Sequence, residues 1–224
     1  MAHQDAKKND FAFRRPRHTL TGRQDSQAVA RTRTRLGLFQ QQAEVGDIDL
    51  LYQDESECLT HPYLARTWAK RGEDLRIQAP GQARKRAMFG CLDWRDNRLL
   101  VTTSAKKRSA EFIEFLGCVD TAYGTDNRAR PLVMVLDNGP IHTSKASTAA
   151  LTARPWITVE WLPKYAPETN AIERSWKDLK ENDMAQHTFT SVEDLDRQIH
   201  IAVAERNQRR SGNANPSSVL KLAA

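Results

Sequence analysis

Three acidic residues stand out by their surroundings: Asp54 in "LLYQDES", Asp137 at the end of "LVMVL", and Glu173 in "WLPKYAPETNAIERSW". Each has an ordinary reading. Asp54 could be an outward-facing strand residue. Asp137 opens Asp-Asn-Gly, a turn sequence in which Asp accepts from its own backbone. Glu173 lies three residues after Asn170, where a capping box would send its carboxylate back to the N-cap N–H, at the positive end of a helix dipole. Together they allow a second reading. Three carboxylates held close repel one another, which is costly unless cations neutralise them. Hard oxygen donors favour Mg²⁺ or Mn²⁺ over zinc, and two such ions about 3.5–4 Å apart form a clamp for in-line attack on a phosphodiester. The two readings of Glu173 exclude each other, because a carboxylate turned back on Asn170 cannot face Asp137.

Bringing these acids together requires a scaffold, and the hydrophobic pattern predicts an α/β one. Strand-like runs are "DIDLLYQDE", "KRAMFGCLDW" and "RLLVTTSA", followed by a helical pattern from about Ser109 to Val119. "PLVMVLDN" reads as a central strand buried on both faces. A helix from about Thr143 to Thr152, the strand "ITVEWLP", a helix capped by Asn170 and a last helix from Ser191 to Asn207 complete the order. Such an order implies a mixed sheet flanked by helices. On it, Asp54 falls near the end of the first strand. Asp137 falls at the carboxyl end of a buried strand, the edge at which α/β sheets build their sites. Three parts are expected: a basic extension over 1–46 with a helix from Ser26 to about Glu44, a catalytic domain over 47–210, and a tail over 211–224.

Charge is concentrated at one end. Residues 1–36 carry nine basic side chains (Lys7, Lys8, Arg14, Arg15, Arg17, Arg23, Arg31, Arg33, Arg35) against three acids (Asp5, Asp10, Asp25). That excess of six equals the formal net charge of the 224-residue chain, +6. A basic arm ahead of a neutral body fits phosphate binding through counterion release, and fits a solvated charge run as well. Hydrophobic residues make up 39% of the chain, and no apolar run approaches the roughly 18 residues of a membrane span. The first ten residues, MAHQDAKKND, have no apolar stretch of a secretory leader, so the expected location is the cytoplasm. Cys58, Cys91 and Cys118 are far apart and lack CxxC spacing, which points to reduced, partly buried thiols.

"YQDES" with the following "RTWAKRG", then "VLDNGPIHTSKA", then "WLPKYAPETNAIERSWKDLK" resemble the three signature blocks of the DDE transposases of bacterial insertion sequences, in the branch related to the mariner elements. The likeness spans about residues 47–184, in the right order, and the last acid follows the second by 36 positions. What the resemblance implies is a ribonuclease H-like fold with a mixed five-stranded sheet. It also implies catalytic and metal-ligating roles for Asp54, Asp137 and Glu173, with Mg²⁺ as cofactor and Mn²⁺ as a substitute. The substrate would be double-stranded DNA, cut at transposon ends and joined to target DNA by an endonuclease and strand transferase acting as a homodimer.

Other matched positions take softer expectations. His142, five residues after Asp137, could contact a DNA phosphate or a water on the metal, or make a structural hydrogen bond. Asn138 could orient Asp137 from outside the ligand set. Arg66, Lys70 and Arg71 could form a basic hairpin around Trp68, itself expected to be a packing residue. Lys164 and Lys177 could meet phosphate. Glu55 should face away from Asp54, since strand neighbours point to opposite faces. The chain departs from the family pattern at Ala166-Pro167, commonly Ser-Pro, and at Ala171, commonly Pro. Residues 1–46 are short for the helix-turn-helix units that such proteins carry. The expectation is therefore a catalytic half, with a separate helix-turn-helix partner possible. A remnant that kept the fold as a DNA-binding or interaction protein is the alternative. A carboxylate-based sugar hydrolase lacks an aromatic cluster beside the acids.

Overall fold

The structure, a computed structural model, describes residues 21–124 and 130–212. Lys7, Lys8, Arg14, Arg15, Arg17 and residues 213–224 lie outside the described residues. Helix α1 (Ser26–Val45) starts at Asp25, whose Oδ1 accepts the N–H groups of Gln27 and Ala28, both at 3.0 Å. Such a cap stabilises a helix by about 1 kcal/mol. Gly46 ends the helix at φ 85°, a conformation open to a residue without Cβ.

Strands β1 (Asp49–Leu59), β2 (Lys85–Asp93) and β3 (Arg98–Ser104) form an antiparallel meander. β4 (Leu132–Leu136) and β5 (Ile157–Trp161) join parallel to β1, giving the order β3-β2-β1-β4-β5. The connections are helical: α2 (Ser109–Tyr123) leads to β4, and α3 (Pro140–Thr143) with α4 (Lys145–Thr152) lead to β5. α5 (Ile172–Asp178), a π-helical turn at Leu179–Asp183 and α6 (Val192–Gly212) follow.

Alternation along β1 divides the core. Leu50, Tyr52 and Cys58 face one side, packed with Leu36 of α1, Ile172 and Trp176 of α5, and Leu195 and Ile199 of α6. Leu51 faces the other, with Phe112, Phe115, Leu116 and Val119 of α2. Helices therefore cover both faces, and all five residues of β4 are buried, as the apolar run "LVMVL" predicts.

Four local expectations are corrected. β1 continues five residues beyond Asp54, because its pairing with β2 runs on to Leu59. The helix expected over 143–152 is two helices divided at Ser144, whose extended backbone lets its Oγ accept the N–H of Ser147 at 3.1 Å. α5 begins at Ile172 after a 3₁₀ turn, Pro167–Thr169. Between β1 and β2 the chain is irregular rather than a hairpin, and Trp68 is 101% exposed rather than packed.

Candidate active site

The parallel ladder between β1 and β4 stops at the pair Tyr52 and Val135. Asp54 lies two residues further along β1 and Asp137 two residues further along the β4 segment, so both leave the sheet at the same rim. Asp54 shares its face of β1 with Tyr52, the face on which α5 packs. Glu173 sits in the first turn of that helix. The three acids line one open cleft of about 440 Å³, together with Lys164, Tyr165 and Asn170.

Two contacts hold α5 at this height. Asn170, buried, donates from Nδ2 to the Gln53 carbonyl at 3.0 Å and accepts the Ile172 N–H at 3.4 Å, tying the helix start to the strand beside Asp54. Gly90, paired with Asp54 on β2, leaves room for the Trp176 indole: a Cβ at Gly90 would lie 2.5 Å from Trp176 Cη2. Trp176 is three residues after Glu173, so its seat on the sheet also fixes the acid. The N–H of Asn170 donates to the Pro167 carbonyl at 2.9 Å. The capping-box geometry is thus not the one adopted, and the Glu173 carboxylate faces the cleft.

The two aspartates differ in their electrostatics. Burial, the nearby Glu173 charge, and those of Glu55 and Asp137 push the Asp54 carboxyl up to about 7. Asp137 is held below the usual carboxylate range, chiefly by a hydrogen bond with His142 Nδ1 at 2.6 Å, with the Gly139 N–H at 2.8 Å adding to it. Glu173 is raised by partial burial and by Asp137, against the pull of Lys180 and Lys107.

His142 is 1% exposed, which removes it from contact with DNA or solvent. Its Nδ1 meets Asp137 and its Nε2 meets Glu55 Oε1 at 2.8 Å. Burial alone would lower its pKa, but the two carboxylates raise it to about 9, so the ring is an imidazolium between two acids. Asn138 does not reach Asp137 either; its amide donates to the Leu162 carbonyl and joins the ends of β4 and β5. Lys177 pairs with Glu181 at 3.7 Å, and Arg66, Lys70 and Arg71 are exposed in the irregular segment between β1 and β2, all outside the residues lining the cleft.

Two further lysines, Lys107 and Lys180, act on the site without having stood out in the sequence. Lys180 Nζ donates to Ser56 Oγ at 2.7 Å, on the Asp54 face of β1. Its position, seven residues after Glu173 and two helical turns along one face, was the available signal. Among the described residues no three His, Cys, Asp or Glu side chains form a ready-made cage for a metal. An open set of carboxylates suits Mg²⁺, which keeps several waters and is commonly held by one or two carboxylates plus substrate phosphates.

A mixed five-stranded sheet flanked by helices, with acids at the rim where parallel strands end, defines a ribonuclease H-like fold. The sequence pattern described as DDE superfamily endonuclease matches residues 49–196, and the chain belongs to that family. It is 29% identical over 143 residues to the insertion element IS630 uncharacterized 39 kDa protein of Shigella sonnei, covering 64% of this chain and 41% of that protein. The chain thus spans about two-fifths of that relative's length. The Mos1 transposase paired-end complex with left transposon end has a similar fold, with TM-score 0.60, 15% identity, and coverage of 94% of this chain and 69% of that one. The Mos1 mariner paired-end complex with Mn gives TM-score 0.58 at 13% identity, over 97% of this chain and 70% of the other. No helix among the described residues is long and apolar enough to cross a membrane.

Proposed function

We propose that this chain is the catalytic part of a transposase, cutting double-stranded DNA at transposon ends and joining them to target DNA. The observation that carries the reading is the shared cleft: Asp54, Asp137 and Glu173 come from three different elements and line one cavity at the sheet rim. Membership of the DDE endonuclease family and the fold shared with a transposase solved on a transposon end support it.

In this reading the three carboxylates hold two Mg²⁺ ions, with Mn²⁺ as a substitute; a fold relative solved with Mn supports that choice. When bound, such ions stabilise the attacking and leaving oxygens of an in-line displacement. The residues of the chain do the rest. Asn170 and Trp176 keep Glu173 at the level of Asp54, and His142 keeps Asp137 ionised. Lys164, at the cleft wall, would meet a phosphate of the scissile strand. Lys177, Arg66, Lys70 and Arg71, exposed and further out, would follow the DNA backbone beyond the cleft. The domain division at 46 and 210, action as a homodimer on chromosomal DNA in the cytoplasm, and a helix-turn-helix partner supplied separately belong to the same proposal.

The test is a calorimetric titration of Mn²⁺ into the 224-residue chain, with and without a short DNA duplex, alongside a thermal melt. Saturable binding that raises the Tm, weakened by Asp137→Asn and by Glu173→Gln, is expected, since a ligand bound only by the folded state stabilises it. No binding in the wild type, even with DNA supplying phosphate ligands, would leave a folded remnant without a metal centre.

A further inference from the structure

The pair Asp54-Glu55 serves both faces of β1. Asp54 points to the cleft, while Glu55 points beneath the sheet rim, where its side chain is 6% exposed and His142 is 1% exposed. Glu55 Oε1 accepts from Gln53 Nε2 at 3.1 Å and meets His142 Nε2 at 2.8 Å. The other ring nitrogen meets Asp137 Oδ1 at 2.6 Å, which also accepts the Gly139 N–H at 2.8 Å. Phe112 closes the pocket edge-on to the imidazole, with ring centroids 4.7 Å apart. A carboxylate on β1 is therefore linked, through one ring, to a carboxylate at the end of β4.

Stability is a poor reason for this arrangement. Taking a carboxylate and an imidazole out of water costs about what their attraction returns, and well-packed apolar residues generally do as well. What the link does provide is orientation. It commits one oxygen of Asp137, fixes the plane of that carboxylate, and leaves the second oxygen for a ligand. Partners of this kind, one step removed from a metal, are the groups whose loss weakens binding while the ligands stay in place. We infer that Glu55, acting through His142, is a positioning residue that orients the Asp137 carboxylate toward a divalent cation. The inference rests on the proposed function of the three acids. It adds a fourth acid, which takes part without touching the metal, and it makes β1 responsible for two of the ligands: Asp54 directly and Asp137 through the ring.

Two variants of the full chain test it. Glu55→Gln keeps an acceptor for the imidazole N–H but removes the charge. The double variant Glu55→Leu with His142→Phe replaces the link by apolar groups that can pack against Phe112, so that folding and orientation are separated. With folding verified by thermal melt, the double variant is expected to bind Mn²⁺ about 10–100-fold more weakly by calorimetry, the range typical for losing such a partner. Glu55→Gln should recover part of that loss. In the metal-free protein, NMR of ¹⁵N-labelled histidine should show the His142 Nδ1–H signal, on the side away from Glu55, moving in Glu55→Gln. A purely structural pair would leave metal affinity unchanged in a folded double variant, and that result would overturn the inference while sparing the metal site. Should the double variant not fold, wild-type Mn²⁺ affinity in Glu55→Gln together with an unmoved Nδ1–H signal would overturn it equally. A wild type that binds no Mn²⁺ would remove the reading of the three acids, and this one with it.

Discussion

Asp54 and Asp137 leave the sheet at the same rim, two residues past the same rung of the ladder, yet they titrate in opposite directions. Asp54 is pushed up to about 7 by burial and by Glu173, whereas Asp137 is held low, first by His142. The difference lies in what stands behind each carboxylate. Asp137 has a buried imidazolium and a backbone N–H behind it. Asp54 has the paired strand β2 and further acids around it. Identical residue types at one rim thus become an ionised, oriented group and a strained one whose charge needs a counter-ion.

The most severe way to probe this contrast is to neutralise each acid in turn. If the proposed function holds, Asp54→Asn and Asp137→Asn should both lower metal-dependent DNA nicking by about 10²–10³-fold, on the order of losing a main charge-stabilising group. Their metal-free melting points should move apart. Asp54→Asn should melt higher at pH 8, because the charge it removes is unfavourable in the folded state. Asp137→Asn should melt lower, because it takes away one of the two carboxylates that hold the imidazolium of His142. A thermal melt in EDTA checks both, at about 2–4 °C per kcal/mol for a chain of this size, and shifts of the same sign would break the comparison.

Next in size is Gly90→Ala. Its Cβ would meet Trp176 at 2.5 Å and the Leu100 carbonyl at 3.0 Å, so the indole must move. The expected cost is about 1–3 kcal/mol by denaturant titration, with weaker Mn²⁺ binding because Glu173 rides on the same helix.

The pH dependence of the metal-free protein is a smaller effect with a defined sign. His142 is raised from 6.5 to about 9 on folding, so its contribution is complete below 6.5 and is lost as pH rises through 9. Asp54 is raised from 3.8 to about 7, so stability is also lost as it ionises on the way up to pH 7 and just beyond. Asp137, lowered, works in the other direction: its contribution is present above 3.8 and is lost as pH falls below that. Stability should therefore decline between pH 4 and about 9 through Asp54 and His142, and in Asp54→Asn the decline between about pH 4 and 7 should shrink while that of His142, from 6.5 to about 9, remains. Smallest of all, Lys177→Ala should change stability by no more than about 0.5 kcal/mol, since its pairing with Glu181 at 3.7 Å is exposed.

Much of this protein was legible in the sequence because it depends on local pattern. Runs such as "LVMVL" and the spacing of Phe112, Phe115, Leu116 and Val119 are set by the periods of strand and helix, so element order, the mixed sheet and the positions of Asp54, Asp137 and Glu173 on it could be read in advance. Boundaries were less legible. β1 runs past Asp54 because β2, far off in sequence, continues to pair with it. Trp68 lies bare although its residue type favours packing.

What only the tertiary structure decided is the pairing of side chains across elements. In sequence His142 could meet a DNA phosphate or a water on the metal, or make a structural hydrogen bond; in the fold it is buried and hydrogen-bonded between Asp137 and Glu55, which are 82 positions apart. Glu55 faces away from Asp54 as the strand alternation requires, but which partner waits on that other face is set by how α3 closes over β1. Asn170 offers a cap by sequence and does accept the Ile172 N–H, but its amide also ties α5 to the Gln53 carbonyl, which the sequence did not indicate. The physical reason is the same in each case: a residue's type states which bonds it can make, while burial and the approach of distant elements determine which of them it does make.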